Sequence, residues 1–219
     1  MKIPVVTEIL NANAVVAEKN RTTFIEHALL TLNLMASPGA GKTSFILATV
    51  KGLPKTVRPG VIEGDIASSI DADLIAAKGI PVVQINTGGN CHLDAPMIKT
   101  ALPHLPLAEL DLLFIENVGN LVCPAAFDLG AKIAVVIASV PEGHDKPYKY
   151  PGIFACADVV ILNKADMIKP FAFDVDYFLR GLEMVNPNVP FFVVSSCTGS
   201  NIEAWVAWLL EAQQNFVRE

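Results

Sequence analysis

Three groups of residues in this chain have the types and spacing of working chemistry. The first is Ala36-Ser37-Pro38-Gly39-Ala40-Gly41-Lys42-Thr43-Ser44, set between an apolar run and a helical pattern. Strand, glycine loop, Gly-Lys-Thr and helix make a phosphate-binding P-loop. Its glycines turn backbone N–H groups onto phosphate oxygens, Lys42 adds positive charge, and the Thr43 hydroxyl is placed to ligate Mg²⁺. The helix N-terminus adds its own partial positive charge. Ala36 stands where the motif usually opens on glycine, a position that needs mainly a small residue. The second group is Asn163-Lys164-Ala165-Asp166, directly after the apolar run Val159–Leu162. Its Asp166 carboxylate can accept from guanine N1–H and the 2-amino group. Adenine would leave that carboxylate unpaired, so GTP and GDP are the expected nucleotides. The third group, Cys91-His92 with Cys123, offers thiolate and imidazole, which suit Zn²⁺ or Ni²⁺.

Magnesium and an attacking water need carboxylates as well. Glu63-Gly64-Asp65 and Glu116-Asn117-Val118-Gly119 each follow a strand-like run. The second occupies the switch II position, with Glu where many GTPases have Asp. Asp65 and Glu116 are assigned to the metal and its water shell, and the Gly119 N–H to the γ-phosphate. The plainer alternative for Asp65 is a helix cap. Ser195-Ser196-Cys197-Thr198-Gly199, after the last strand, resembles the Ser-Ala loop that supports guanine in GTPases, which places Ser196 and Cys197 against the base. No Gln follows Gly119 and no Arg lies in the switch pieces, so slow intrinsic hydrolysis is expected.

Three soft ligands fall short of the four that a tetrahedral structural site requires. A second copy of the chain across a two-fold axis would supply the rest. Plainer readings stay open, since a buried cysteine is commonly a small hydrophobe and adjacent Cys-His is no finger spacing. Cys156 reads as core, His27 and His104 as core or solvated, and His144 as a polar-loop residue. Lys146 and Lys149 either reach a nucleotide or an opposite subunit, or are solvated loop charges.

The elements must bring these groups together. Strand-like runs fall at Leu32–Ala36, Gly60–Glu63, Pro81–Ile85, Leu112–Ile115, Lys132–Ser139, Val159–Leu162 and Phe191–Val194. Helical patterns lie at Lys42–Lys51, Ile66–Lys78, His92–Leu102, Phe171–Met184 and Asn201–Phe216, with a polar-faced helix over Thr7–Leu30 at the start. This alternation predicts an α/β P-loop fold, a mostly parallel sheet with helices on both faces. The helix-length join between the second and third strands makes them parallel. The whole of 1–219 is expected to be a single domain, with 1–30 a helical extension.

Composition bounds the rest. The 219 residues are 52% hydrophobic and 17% charged, which excludes disorder. Sixteen Lys and Arg against 22 Asp and Glu give −6, and with no basic block neither nucleic acid nor an anionic membrane is an expected partner. There is no leader pattern and no run of 18 apolar residues, and the four cysteines are too sparse for a disulfide framework. A cytoplasmic location is the expectation.

Together the residues resemble the HypB family, GTPases that help insert nickel into nickel–iron hydrogenases. The likeness rests on SPGAGKTS, EGDIASSIDADLI, NTGGNCHLDA, ENVGNLVCPAAFDLG, EGHDKPYKYP and NKAD in that order. It implies a SIMIBI-type G domain, with Cys91, His92 and Cys123 binding nickel or zinc at a homodimer interface. It also implies a nickel-chaperone partner and the hydrogenase large subunit as recipient. Residues 1–30 hold neither a Cys nor a His cluster, so the N-terminal nickel motifs of some members are not expected. Urease maturation GTPases are the runner-up, but they carry Cys-Pro-His where this chain has Cys91-His92. A small-molecule kinase would share the P-loop yet give Asn163–Asp166 no role. A protein with a structural zinc would bind one ion that ignores the nucleotide.

Overall fold

The computed structural model describes residues 8–66 and 68–218, with the side chains of 8–11 and 218 left aside. Thr7, the leader reading at the first residues and Ala67 of the EGDIASSIDADLI segment lie outside the described residues, and Ile9 and Leu10 outside the described side chains.

Helix α1 (Glu8–Glu26) leads into β1 (Leu30–Ala36), α2 (Lys42–Gly52), β2 (Pro59–Asp65), α3 (Ile70–Ala76), β3 (Val82–Asn86), α4 (Ala95–Ala101) and β4 (Leu112–Glu116). Then come β5 (Ile133–Ser139), the short α5 (Lys146–Lys149) and α6 (Pro151–Ala155), β6 (Val159–Asn163), α7 (Val175–Val185), β7 (Phe191–Val193) and α8 (Ile202–Arg218). The strands form one seven-stranded sheet in the order β3-β2-β4-β1-β5-β6-β7. Every pairing is parallel, β2 with β3 included.

The central strands β1, β4 and β6 are buried at every residue, as near-continuous apolar runs covered on both faces must be. On one face α2 and α8 pack through Phe45 and Trp205, whose ring centroids lie 5.3 Å apart. The Trp205 indole N–H donates to Thr49 Oγ1 at 2.9 Å, so its polar edge is satisfied inside the core. On the other face Phe154, Phe178 and Leu182 cover β5 and β6. Phe24, Leu29, Ile98 and Leu102 cover β2 and β4.

Helix α1 packs into the domain through Phe24, while Val15 and Ile25 are each 59% exposed. The face turned inward is Asn13, Ala17, Asn20 and Phe24, a four-three-four spacing. Asn20 Nδ2 donates to the carbonyls of Ala95 and Leu129, and Asn13 Oδ1 accepts from the Ala95 N–H at 2.8 Å. Several boundaries also shift. The expected helix from Ile66 begins only at Ile70, and that from His92 begins at Ala95, where Asp94 caps it through the Met97 N–H. Cys91 and His92 therefore sit in the preceding turn. Cys156, read as core, is exposed. Among the described residues no helix is long and apolar enough to cross a membrane.

Candidate functional site

All strands run one way, so their carboxyl ends share one edge of the sheet, where ligands of open parallel sheets bind. From the end of β1 the loop Ser37–Gly41 enters α2, with Gly41 at φ 92° at the helix start. An L side chain is disfavoured there, and a Cβ would lie 2.8 Å from Asn163 Nδ2. Lys42 and Thr43 open the helix, followed by Ser44.

Glu116 ends β4 beside them. Its Oε1 accepts from the Thr43 hydroxyl at 2.9 Å and lies 4.0 Å from Lys42 Nζ. The sheet register places Glu63 directly opposite Glu116, and with Asp71 these carboxylates converge to within 4.8 Å. Glu63 Oε2 and Glu116 Oε2 are buried without a hydrogen-bond partner. Burial lifts the Glu63 pKa to about 8, with the charges of Glu116, Asp65 and Asp71 adding to it and Lys42 opposing. Burial also raises Glu116 to about 7, against the pull of Lys42 and the Thr43 hydrogen bond. Asp65 is not in the cluster; its Oδ1 accepts from the Ser68 N–H at 2.9 Å. Of the acids on and after β2, it is Glu63 and Asp71, rather than the expected Asp65, that join Glu116.

Gly119 lies against the P-loop, where a Cβ would come within 2.8 Å of the Pro38 backbone. The base motif is tied to the same loop. Asn163 Nδ2 donates to the Ala40 carbonyl at 3.1 Å, and Lys164 Nζ reaches the Gly39 carbonyl at 2.6 Å. Asn163 Oδ1 accepts from the backbone and hydroxyl of Ser196. Ser195 Oγ donates to Asp166 Oδ1, orienting that exposed carboxylate, and Cys197 stands exposed next in the loop.

The soft ligands also meet on this edge. Cys91 Sγ and Cys123 Sγ are 3.1 Å apart, Cys91 Sγ is 3.7 Å from His92 Nδ1, and all three side chains form one cluster. The Cys91 thiol, by hydrogen bonding, holds the Cys123 pKa above its ordinary value. His92 stacks on Phe127 with centroids 3.9 Å apart, which fixes the ring. Elsewhere, Lys149 pairs with Asp145 and Lys146 lies over the Tyr150 ring, both local contacts. His144 packs edge-on to Phe173 and Tyr177, its Nδ1 accepting from the Asp174 N–H. His104 is exposed and His27 half-buried.

A model of the CobW/HypB/UreG nucleotide-binding domain matches residues 30–193. The hydrogenase maturation factor HypB of Escherichia coli (strain K12) is 46% identical over 202 residues, 92% of this chain and 70% of that protein. The chain belongs to the HypB family. The hydrogenase/urease maturation factor HypB of Helicobacter pylori (strain J99) is 41% identical over 218 residues, covering 97% of this chain and 88% of that one. A crystal structure of HypB from Helicobacter pylori in complex with nickel matches with a TM-score of 0.90 at 40% identity, over 93% of this chain and 96% of that chain. HypB from Archaeoglobus fulgidus matches with a TM-score of 0.86 at 36% identity, over 93% and 99%. The seven-stranded parallel sheet is thus the P-loop fold of HypB.

Proposed function

We propose that this chain is a GTP-hydrolysing metallochaperone that binds nickel or zinc and couples its nucleotide cycle to nickel delivery in hydrogenase maturation. One observation carries the reading. The segment from Glu116 to Cys123 meets Thr43 and the P-loop at one end and Cys91 at the other. A single stretch of backbone therefore serves both ligands.

Lys42 and the loop N–H groups would hold the phosphates, Gly119 the γ-phosphate, and Asp166, Ser196 and Cys197 the guanine. The two buried, unpartnered carboxylate oxygens beside Thr43 suit a hard divalent cation. Thr43, Glu116 and the neighbouring Glu63 and Asp71 would hold Mg²⁺, with Asp65 at the rim, and the ion would neutralise phosphate charge. Cys91, His92 and Cys123 would take Ni²⁺ or Zn²⁺ as cargo. Because one chain supplies three ligands, a homodimer would complete the set. Loss of the γ-phosphate would relax the 116–123 loop and weaken the grip on the metal, favouring transfer to a nickel-chaperone partner or the hydrogenase large subunit in the cytoplasm.

The test joins two assays. The purified chain is expected to hydrolyse GTP, and not ATP, to the diphosphate and phosphate with no acceptor present. Cys91→Ala and Cys123→Ala are each expected to weaken nickel binding by at least about tenfold. Phosphate transfer to a small acceptor would point to a kinase instead. Unchanged nickel affinity in both variants would remove the metal site.

A further inference from the structure

We infer that Asn117 is a positioning residue through which the nucleotide state reaches the Cys91-His92 turn; the inference rests on the coupling proposed above. Asn117 follows Glu116 directly and is fully buried. Its backbone N–H donates to the Leu34 carbonyl on β1 at 3.0 Å, so its main chain is fixed to the strand that feeds the P-loop. The side chain ties the same strand to the Cys91-His92 turn. Its Oδ1 accepts from the Leu93 N–H at 3.0 Å and the Val118 N–H at 2.9 Å, and its Nδ2 donates to Asn33 Oδ1 at 3.1 Å.

Leu93 is the residue after Cys91-His92 and is itself fully buried. Its side chain fills the place where Gly64 lacks one, since a Cβ there would lie 2.7 Å from Leu93 Cγ and Cδ1. Gly64 stands between Glu63 and Asp65. The root of the metal turn is thus held by a packing contact on β2 and by an amide acceptor at the end of β4. β4 ends in Glu116, 4.0 Å from Lys42 Nζ, and β2 carries Glu63 opposite it. Cys91 is exposed, and its ties among the described contacts are to His92, Cys123 and the side chain of Asn120, which donates to its carbonyl at 3.2 Å.

This arrangement transmits displacement. If the segment after Glu116 moves toward a γ-phosphate, Asn117 Oδ1 moves with it. The Leu93 N–H cannot stay behind, because a buried donor stripped of its acceptor is costly. Leu93 and the adjoining Cys91-His92 pair follow, and their spacing to Cys123 changes. Asn117 touches neither ligand and acts only through Leu93.

The experiment measures nickel affinity from the thiolate-to-nickel charge-transfer absorbance, in GDP and in a non-hydrolysable GTP analogue. The unsubstituted chain is expected to show a ratio between the two states of at least about fivefold. In Asn117→Leu the ratio falls to within about twofold of one, while both nucleotide affinities stay within about threefold of the original. Asn117→Asp restores the ratio, because its carboxylate still accepts from Leu93 and the Asn33 amide can turn to donate its Nδ2 to the second carboxylate oxygen. Asn33→Ala keeps the Leu93 bond but frees the amide behind it, and lowers the ratio at least about threefold. A ratio left intact in Asn117→Leu overturns the role of Asn117. Should that variant not fold, an intact ratio in Asn33→Ala overturns it. Equal affinities in the unsubstituted chain overturn the coupling itself, and this role with it.

Discussion

Glu63 and Glu116 face each other across adjacent strands, and each binds its proton more tightly in the folded chain than its ordinary 4.5 would allow. Below that value both states of the chain are protonated and the pair costs nothing. Between it and about 8 the folded state holds more protons than the unfolded one, so stability falls as pH rises through this window. Asp145, held low by its hydrogen bond to Lys149, acts with the opposite sign only below its ordinary 3.8, outside the window. The nucleotide-free and Mg²⁺-free protein should therefore lose thermal stability from pH 5 to pH 8, and Glu63→Gln should flatten that decline. A melting temperature that climbs over the same range in both proteins would contradict this. At the proposed base site, Asp166→Ala would remove the acceptor assigned to guanine. Competition binding should show GTP preference over ATP dropping by at least about 100-fold. That Lys42, Thr43, Glu116, Asn163 and Asp166 gather at one edge was legible because each stands in a contiguous motif after a strand. The convergence of Glu63 and Asp71 on Glu116 was not, because it depends on the register of β2 with β4, which no local pattern states.

At the scale of elements, the strands were readable because buried parallel strands are continuous apolar runs. Two helix starts were not: past Asp65 the chain turns before α3 begins at Ile70, and Asp94 rather than His92 opens α4. The docking face of α1 was legible only in Phe24. Its seam carries Asn13 and Asn20 as well, and a search for apolar periodicity passes over them and selects Val15 and Ile25, which the structure leaves outside. Asn20 is fully buried and satisfies two carbonyls, of Ala95 and Leu129. Asn20→Ala leaves both without this donor, a loss of about 2–6 kcal/mol at roughly 1–3 per orphaned group. Urea unfolding should show the midpoint falling with little change in slope. Val15→Ala, on the exposed side of the same helix, should shift it by less than about 0.5 kcal/mol. Equal effects from the two would mean that α1 is held by something other than its asparagine seam.

For the whole molecule, the parallel sheet explains why a nucleotide loop and a thiolate cluster are neighbours at all. Every strand delivers its carboxyl end to the same edge, so β1, β3, β4 and β6 bring the P-loop, the two cysteine-bearing loops and the Asn163–Asp166 loop together without further design. The metal loops lie at the exposed rim of that edge, with Cys91 open to solvent and Cys123 partly so. A chain that offers two thiols and one imidazole there invites a copy of itself, because a two-fold axis doubles the ligand set and covers the exposed sulfur at the same time. Nickel should therefore drive association. Sedimentation velocity at micromolar protein should show dimer appearing as nickel is added in the GTP-analogue state, and Cys123→Ser should remain monomeric at the same nickel concentration. If the unsubstituted chain instead binds one nickel per chain and still sediments as a monomer, the three ligands close the site with solvent, and the dimer has no part in holding the metal.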